Sequence, residues 1–139
     1  MAVASPEFIR IDPAGRLLYT TDSTSDLAST FSIDSVTGTL TLVGTRAMRD
    51  DPAAVAFVSG ASAVTPTPTF AYVANAGDDT VSAFAITPAT GFLTPVAASP
   101  FSVVPGPGPV SLSADPLGQF LFVGNSGTND VSEIGRAHV

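Results

Sequence analysis

The chain repeats itself at intervals of about 50 residues, and this limits what it can fold into more than any other feature. Tyr19 in Leu17-Leu18-Tyr19-Thr20-Thr21 recurs as Tyr72 in Phe70-Ala71-Tyr72-Val73-Ala74-Asn75, 53 positions on. It recurs again as Phe122 in Phe120-Leu121-Phe122-Val123-Gly124-Asn125, 50 positions further. Phe31 and Phe84 share the 53-residue offset, as do Gly38 and Gly91 in the two Thr-Gly turns. A period of this length marks a supersecondary unit that stacks on copies of itself. Each unit reads as short runs rich in Val, Phe, Tyr, Ile and Thr, the residues that suit a pleated, half-buried surface. Gly, Pro, Asp and Asn punctuate them. The predicted strands are 8–11, 17–21, 27–34 and 39–43 in the first unit. The second gives 53–58, 70–75, 80–87 and 92–97. The third gives 110–114, 120–125 and a start at Asp130. Val81, Ala83 and Ala85 alternate with Ser82, Phe84 and Ile86, so both faces carry apolar groups, as in a sheet packed between two others. No stretch has an amphipathic helical period.

Four-stranded units of roughly 40–50 residues are the blades of a β-propeller. The expected fold is all-β: a propeller fragment of about two and two-thirds antiparallel blades over residues 1–132, with blades at about 7–45, 53–98 and 109–132. The turn Asp12-Pro13-Ala14-Gly15 recurs as Asp115-Pro116-Leu117-Gly118. Proline suits its first turn position and glycine the later one needing positive φ. The second unit has instead a longer insert, Ser59 to Thr69, and insertions in repeats fall in loops. Glu133 to Val139 departs from the repeat where an aromatic residue is due. It is read as a tail foreign to the protein, which is then a truncated piece of a longer chain.

The units resemble the lactonase-like β-propellers, among them the propeller-type bacterial 6-phosphogluconolactonases, and the wider group named for Tyr-Val-Thr-Asn repeats. The residues that carry the likeness are Asp12 to Tyr19, Phe70 to Asn75, Asp79 to Ser82, Thr90 to Val96, Ser99-Pro100-Phe101 and Gly108-Pro109-Val110. The resemblance implies a seven-bladed parent and, as its activity, hydrolysis of a sugar lactone such as 6-phosphogluconolactone. The motifs build blades rather than sites, so a non-catalytic secreted or cell-surface propeller for binding or scaffolding stands as the alternative. The first implies a cytoplasmic protein and the second an exported one.

Composition narrows the chemistry. Charged residues are 12% of the chain, about half the usual ~25%, and the net charge is −7 with no lysine. Such a chain repels nucleic-acid phosphates and anionic membranes. There is no cysteine, which removes disulfides, thiolate metal sites and cysteine nucleophiles. No apolar run approaches the ~18 residues of a membrane span. A Ser-His-Asp triad needs a histidine base, and the one histidine, His138, lies in the suspect tail. Gly60-Ala61-Ser62-Ala63 does not make a nucleophile elbow. Pro105-Gly106-Pro107-Gly108-Pro109 lacks the Gly-Lys-Ser/Thr ending of a phosphate loop, and its prolines remove the N–H groups such a loop needs. The acidic pairs at 22 and 26, 50 and 51, and 78 and 79 lack calcium-loop spacing and read as solvated turns. No cofactor or metal is expected.

One geometric expectation goes further. Strand connections in an up-and-down blade alternate between its two ends. The loops between second and third strands and the blade-to-blade linkers therefore share a face. That face collects residues 22–26, 75–79 and 125–129 with the linkers 46–51 and 105–109. The ligand site is expected there, at the mouth of the channel. Arg46 and Arg49 are the candidates to hold an anionic substrate, with Asn75 and Asn125 beside them. The catalytic residues are not assigned. The isolated chain, with blade faces uncovered, is expected to be inactive and to associate with itself.

Overall fold

The computed structural model describes residues 6–59, 68–103, 107–115 and 118–136, and these form strands and turns without a helix. The first sheet comprises β1 (Pro6–Ile11), β2 (Leu17–Asp22), β3 (Leu27–Ile33) and β4 (Leu40–Ala47). The second comprises β5 (Pro52–Ser59), β6 (Pro68–Asn75), β7 (Thr80–Ile86) and β8 (Leu93–Pro95), with β9 (Phe101–Ser102) also on β7. The third comprises β10 (Pro109–Ala114), β11 (Phe120–Asn125) and β12 (Asp130–Arg136). Every pairing is antiparallel and joins strands in chain order, apart from the second place on β7. These are consecutive propeller blades. The Gly60-Ala61-Ser62-Ala63 segment, most of the Ser59 to Thr69 insert, part of the 105–109 linker and His138 lie outside the described residues. β12 runs on through Glu133 and Ile134, opposite Phe122 and Leu121.

Local chemistry sets the turns. The Asp12 carboxylate accepts the amides of Arg16 and Leu17 at 2.6 and 2.8 Å, and the Asp12 carbonyl accepts that of Gly15. Gly15 sits at φ +68°, which glycine reaches without a Cβ clash. Asp115 repeats the arrangement with the amides of Gln119, Phe120 and Gly118.

Packing between blades follows from the period-two pattern. Leu17 and Tyr19 leave the first blade toward the second. They meet Val55, Ala71, Val73, Phe84, Ile86 and Leu93. From the other face of the second blade, Ala56, Val58, Tyr72, Val81 and Ala83 meet Leu121 and Val123 of the third. Each blade thus gives one apolar face to each neighbour, and the core lies in the seams. β5 lies against β1 and β2 on one side and β10 on the other, so β1, β5 and β10 are the inner strands.

The outer strands depart from expectation. β4 continues to Ala47, four residues beyond the expected end at 43. The outer strand of the second blade is split. After β8 the chain detours through Ala98 at φ +64° and a cis Ser99-Pro100 peptide, then resumes as β9 opposite Thr80 and Val81. Within the detour the Ser99 hydroxyl accepts the Ala83 amide at 2.8 Å, so a side chain takes over a ladder bond.

Candidate functional site

The linkers and the turns between second and third strands meet on one face, through hydrogen bonds that repeat from blade to blade. Asp26 and Asp79 stand at the ends of those turns with φ of +52° and +56°. The Asp26 carboxylate accepts the amide of Asp51 at 3.1 Å, and its carbonyl accepts that of Met48 at 2.7 Å. The Asp79 carboxylate accepts the amide of Gly108 at 2.7 Å, and its carbonyl that of Val103 at 3.1 Å. Each aspartate therefore clamps the linker that leaves its blade. The linker is held from the other side by the following blade. Ala76 and Gly77 donate to the carbonyls of Asp51 and Asp50, and Ser126 and Gly127 to those of Gly108 and Pro107. Gly77 and Gly127 are required by proximity. A Cβ would stand 2.9 Å from Asp50 Cβ at the first and 2.7 Å from the Pro107 carbonyl oxygen at the second. Asn129, at φ +57°, occupies the same place in the third blade. The solvated-turn reading of the acidic pairs does not include these clamps. The signal for them is the recurrence of Asp26, Asp79 and Asn129 at the 53- and 50-residue offsets.

The four candidate ligand residues take three different positions. Arg49 lies on the linker between rim and inner strand, with its side chain 57% exposed and 3.6 Å from the Asp78 carboxylate. Arg46 lies on the extended β4 at the outer edge. Its Nε and Nη2 donate to the Leu93 carbonyl of the next blade at 3.0 and 2.6 Å, and its guanidinium stands 5.1 Å over the Phe92 ring. It bridges the outer strands of two blades. Asn75 and Asn125 are buried at the ends of β6 and β11. Asn75 Nδ2 donates to the hydroxyls of Thr80 and Ser82 at 3.0 and 2.9 Å. Asn125 Nδ2 donates to the Asp130 carboxylate and the Ser132 hydroxyl at 2.9 and 2.8 Å. The spacing Asn, then five and seven residues on, is the same in both blades. The amide oxygens of both are buried without a hydrogen-bond partner.

Electrostatically this face is acidic. Asp26, Asp50, Asp51, Asp78 and Asp79 stand on it with the Arg49 guanidinium. The Asn125 amide, then the Thr128 hydroxyl, hold the Asp130 carboxyl below its usual pKa. Tyr19 is pushed up to about 12, by burial first and by the Asp12 charge second. Its hydroxyl reaches the Gly91 carbonyl at 3.4 Å, across the seam between the first two blades. No group of three or more His, Cys, Asp and Glu among the described residues is placed to hold a metal ion.

The comparisons agree with this architecture. The family model described as lactonase, seven-bladed β-propeller matches residues 2–57 and 58–138. A putative 6-phosphogluconolactonase from Bacteroides fragilis superposes with a TM-score of 0.78 at 20% identity, over 97% of this chain and 36% of that one. The periplasmic gluconolactonase of Pseudomonas aeruginosa gives 0.72 at 26% identity, over 94% and 35%. A protein from Lactobacillus plantarum gives 0.74 at 25% identity, over 94% and 37%. No curated protein matches the chain. The chain spans about a third of the length of these solved structures. With its blades, seams and inner strands arranged as described, it belongs to the lactonase family of seven-bladed β-propellers.

Proposed function

We propose that this chain is part of a propeller that hydrolyses a sugar lactone, with the linker face on the substrate side of the ring. The observation that carries the reading is the match of the lactonase model across both halves of the chain. Opening a lactone requires a polarised carbonyl and an activated water. Arg49, exposed on the linker, is our candidate to meet substrate oxygens. The neighbouring carboxylates can accept from sugar hydroxyls. With Asp26, Asp50, Asp51, Asp78 and Asp79 among the carboxylates on that face, this part of the ring favours an uncharged aldonolactone over a phosphorylated one. We assign Arg46, Asn75 and Asn125 to holding the blades and their turns.

The test is titration of the folded, isotope-labelled chain with glucono-1,5-lactone and with its 6-phosphate, while ring opening is followed by proton release. The proposal expects shift changes at residues 46–51 and 75–79, larger with the uncharged lactone and reduced in Arg49→Ala. Absence of shifts with both lactones contradicts it. Binding without faster ring opening is expected of this isolated part of the ring; shift changes of equal size with a sugar that carries no lactone favour the second reading, a non-catalytic binding propeller. Support for that reading lies in the structural hydrogen bonds that occupy Asp26, Asp79 and both asparagines.

A further inference from the structure

The clamp between turn and linker repeats from blade to blade, but the ion pair between Arg49 and Asp78 beside it does not. The clamp fixes a common register for the two linkers. The Asp26 and Asp79 carboxylates accept the amides of Asp51 and Gly108, and a Cβ on Gly77 or Gly127 would meet Asp50 or Pro107. In that register Ser25 of the first blade and Thr128 of the third stand at the turn position of Asp78. The residue before Pro107 is Gly106, where Arg49 precedes Asp50. The Ser126 and Gly127 amides still reach the Gly108 and Pro107 carbonyls, so the clamp forms without either charge. The pair, in turn, is placed by the clamp. The amides of Met48 and Asp51, on either side of Arg49, are bound by the Asp26 carbonyl and carboxylate. The amides of Ala76 and Gly77, just before Asp78, are bound by the Asp51 and Asp50 carbonyls. Both charged side chains thus leave backbone that two blades hold. Asp78 Oδ2 stands 3.6 Å from Arg49 Nη1, and more than half of the Arg49 side chain stays open to solvent.

We propose that Asp78 is a specificity-determining residue of this face: it screens the Arg49 guanidinium, so that Arg49 takes neutral sugar oxygens and turns anions away. A bare guanidinium is a strong phosphate binder, because its fork of N–H groups matches two phosphate oxygens. With the Asp78 carboxylate already at Nη1, an incoming phosphate must displace it or lie beside a like charge. A hydroxyl or carbonyl oxygen carries no net charge and meets no such repulsion, yet it accepts from the same N–H groups. Asp78 does not touch the reacting atoms in this account; it acts through Arg49. The sugar substrate class rests on the lactone reading given above, whereas the screening of Arg49 is a property of the pair alone.

Titration of the full chain and of Asp78→Asn with glucono-1,5-lactone, its 6-phosphate and inorganic phosphate tests the proposal, with shifts followed at residues 46–51 and at the Arg49 Nε–H signal. An exposed ion pair adds little to folding, so the variant should melt as wild type does. Asp78→Thr, with the residue that the third blade carries there, is the second variant and should behave alike. In both, affinity for the 6-phosphate relative to the uncharged lactone should rise at least about threefold in dilute buffer, since one unit charge a few ångströms away is removed. Inorganic phosphate should gain by a similar factor at Arg49. The gain should shrink toward ~1 M salt, where the screening length falls to about 3 Å, and should vanish when Arg49→Ala is added. A merely structural role for Asp78 would show neither dependence. If both lactones bind at 46–51 and their ratio is unchanged in the variants, the proposal is overturned and the lactone reading stands. A phosphate gain at Arg49 with neither lactone bound upholds the screening and removes the lactone reading. No gain and no lactone binding removes both.

Discussion

Gly38 and Gly91 occupy the same turn in successive blades, with φ of +72° and +76°, yet their surroundings differ. Around a Cβ built on Gly38 there is nothing within 4 Å. A Cβ on Gly91 would lie 2.5 Å from Leu17 Cδ1, 3.0 Å from its Cδ2 and 3.2 Å from the Tyr19 hydroxyl. Alanine at either position takes the left-handed backbone penalty of about 1–2 kcal/mol. At Gly91 it must also displace a leucine locked in the seam between blades. Overpacking of that kind costs a further ~1–3 kcal/mol. Gly38→Ala should therefore cost about 1–2 kcal/mol and Gly91→Ala about 2–5. With a urea slope near ~2 kcal/mol per molar, the two midpoints should differ by roughly 0.5–1.5 M. Both variants should be unfolded at the same protein concentration, since any association shifts the midpoint. Equal losses would refute the reasoning, because they would mean that the 87–92 turn does not rest on the first blade.

Three other consequences follow from the geometry. Tyr19 has a folded pKa of about 12 against an ordinary 10, so its contribution to stability is complete below pH 10. That contribution fades as pH rises from 10 to 12, and melts across this window should show a decline that Tyr19→Phe reduces. Asp34 is held low chiefly by the Thr37 amide, then the Val36 amide, and Asp130 by the Asn125 amide. Stability from both is present above the unfolded carboxylate range and is lost as pH falls through their depressed folded values; acid titration of Asp130→Asn should show a smaller loss than wild type. Asn75→Ala removes the donor to the Thr80 and Ser82 hydroxyls and should cost about 1–3 kcal/mol in urea unfolding.

The blades were legible because their seams use period-two apolar strands of fixed spacing, so Tyr19, Tyr72 and Phe122 announce equivalent positions. What escaped was set by interactions between blades or by backbone conformation. β9 could not be foreseen, since it depends on Ala98 at positive φ and on a serine hydroxyl standing in for a ladder carbonyl. The extension of β4 to Ala47 is of the same kind. The Leu93 carbonyl and Phe92 ring that hold Arg46 belong to the next blade, 47 residues on, and the sequence places that arginine in a linker. The shared face of linkers and turns could be deduced from alternation of connections. Its hydrogen bonds could have been suspected from the recurrence of Asp26 and Asp79, but those residues carry no local motif that separates a clamp from a solvated turn.

The chain has two tyrosines, and each sits in a different seam. Nuclear Overhauser spectra of a tyrosine- and phenylalanine-labelled sample therefore test the stacked-blade architecture most directly. The Tyr19 ring should show a cross-peak to Phe57, whose ring centroid is 5.0 Å away, and contacts to Val55 and Val73. Tyr72 should show contacts to Leu121 and Val123. Both tyrosine rings free of cross-blade contacts and open to solvent would contradict the account, because no propeller seam would then exist.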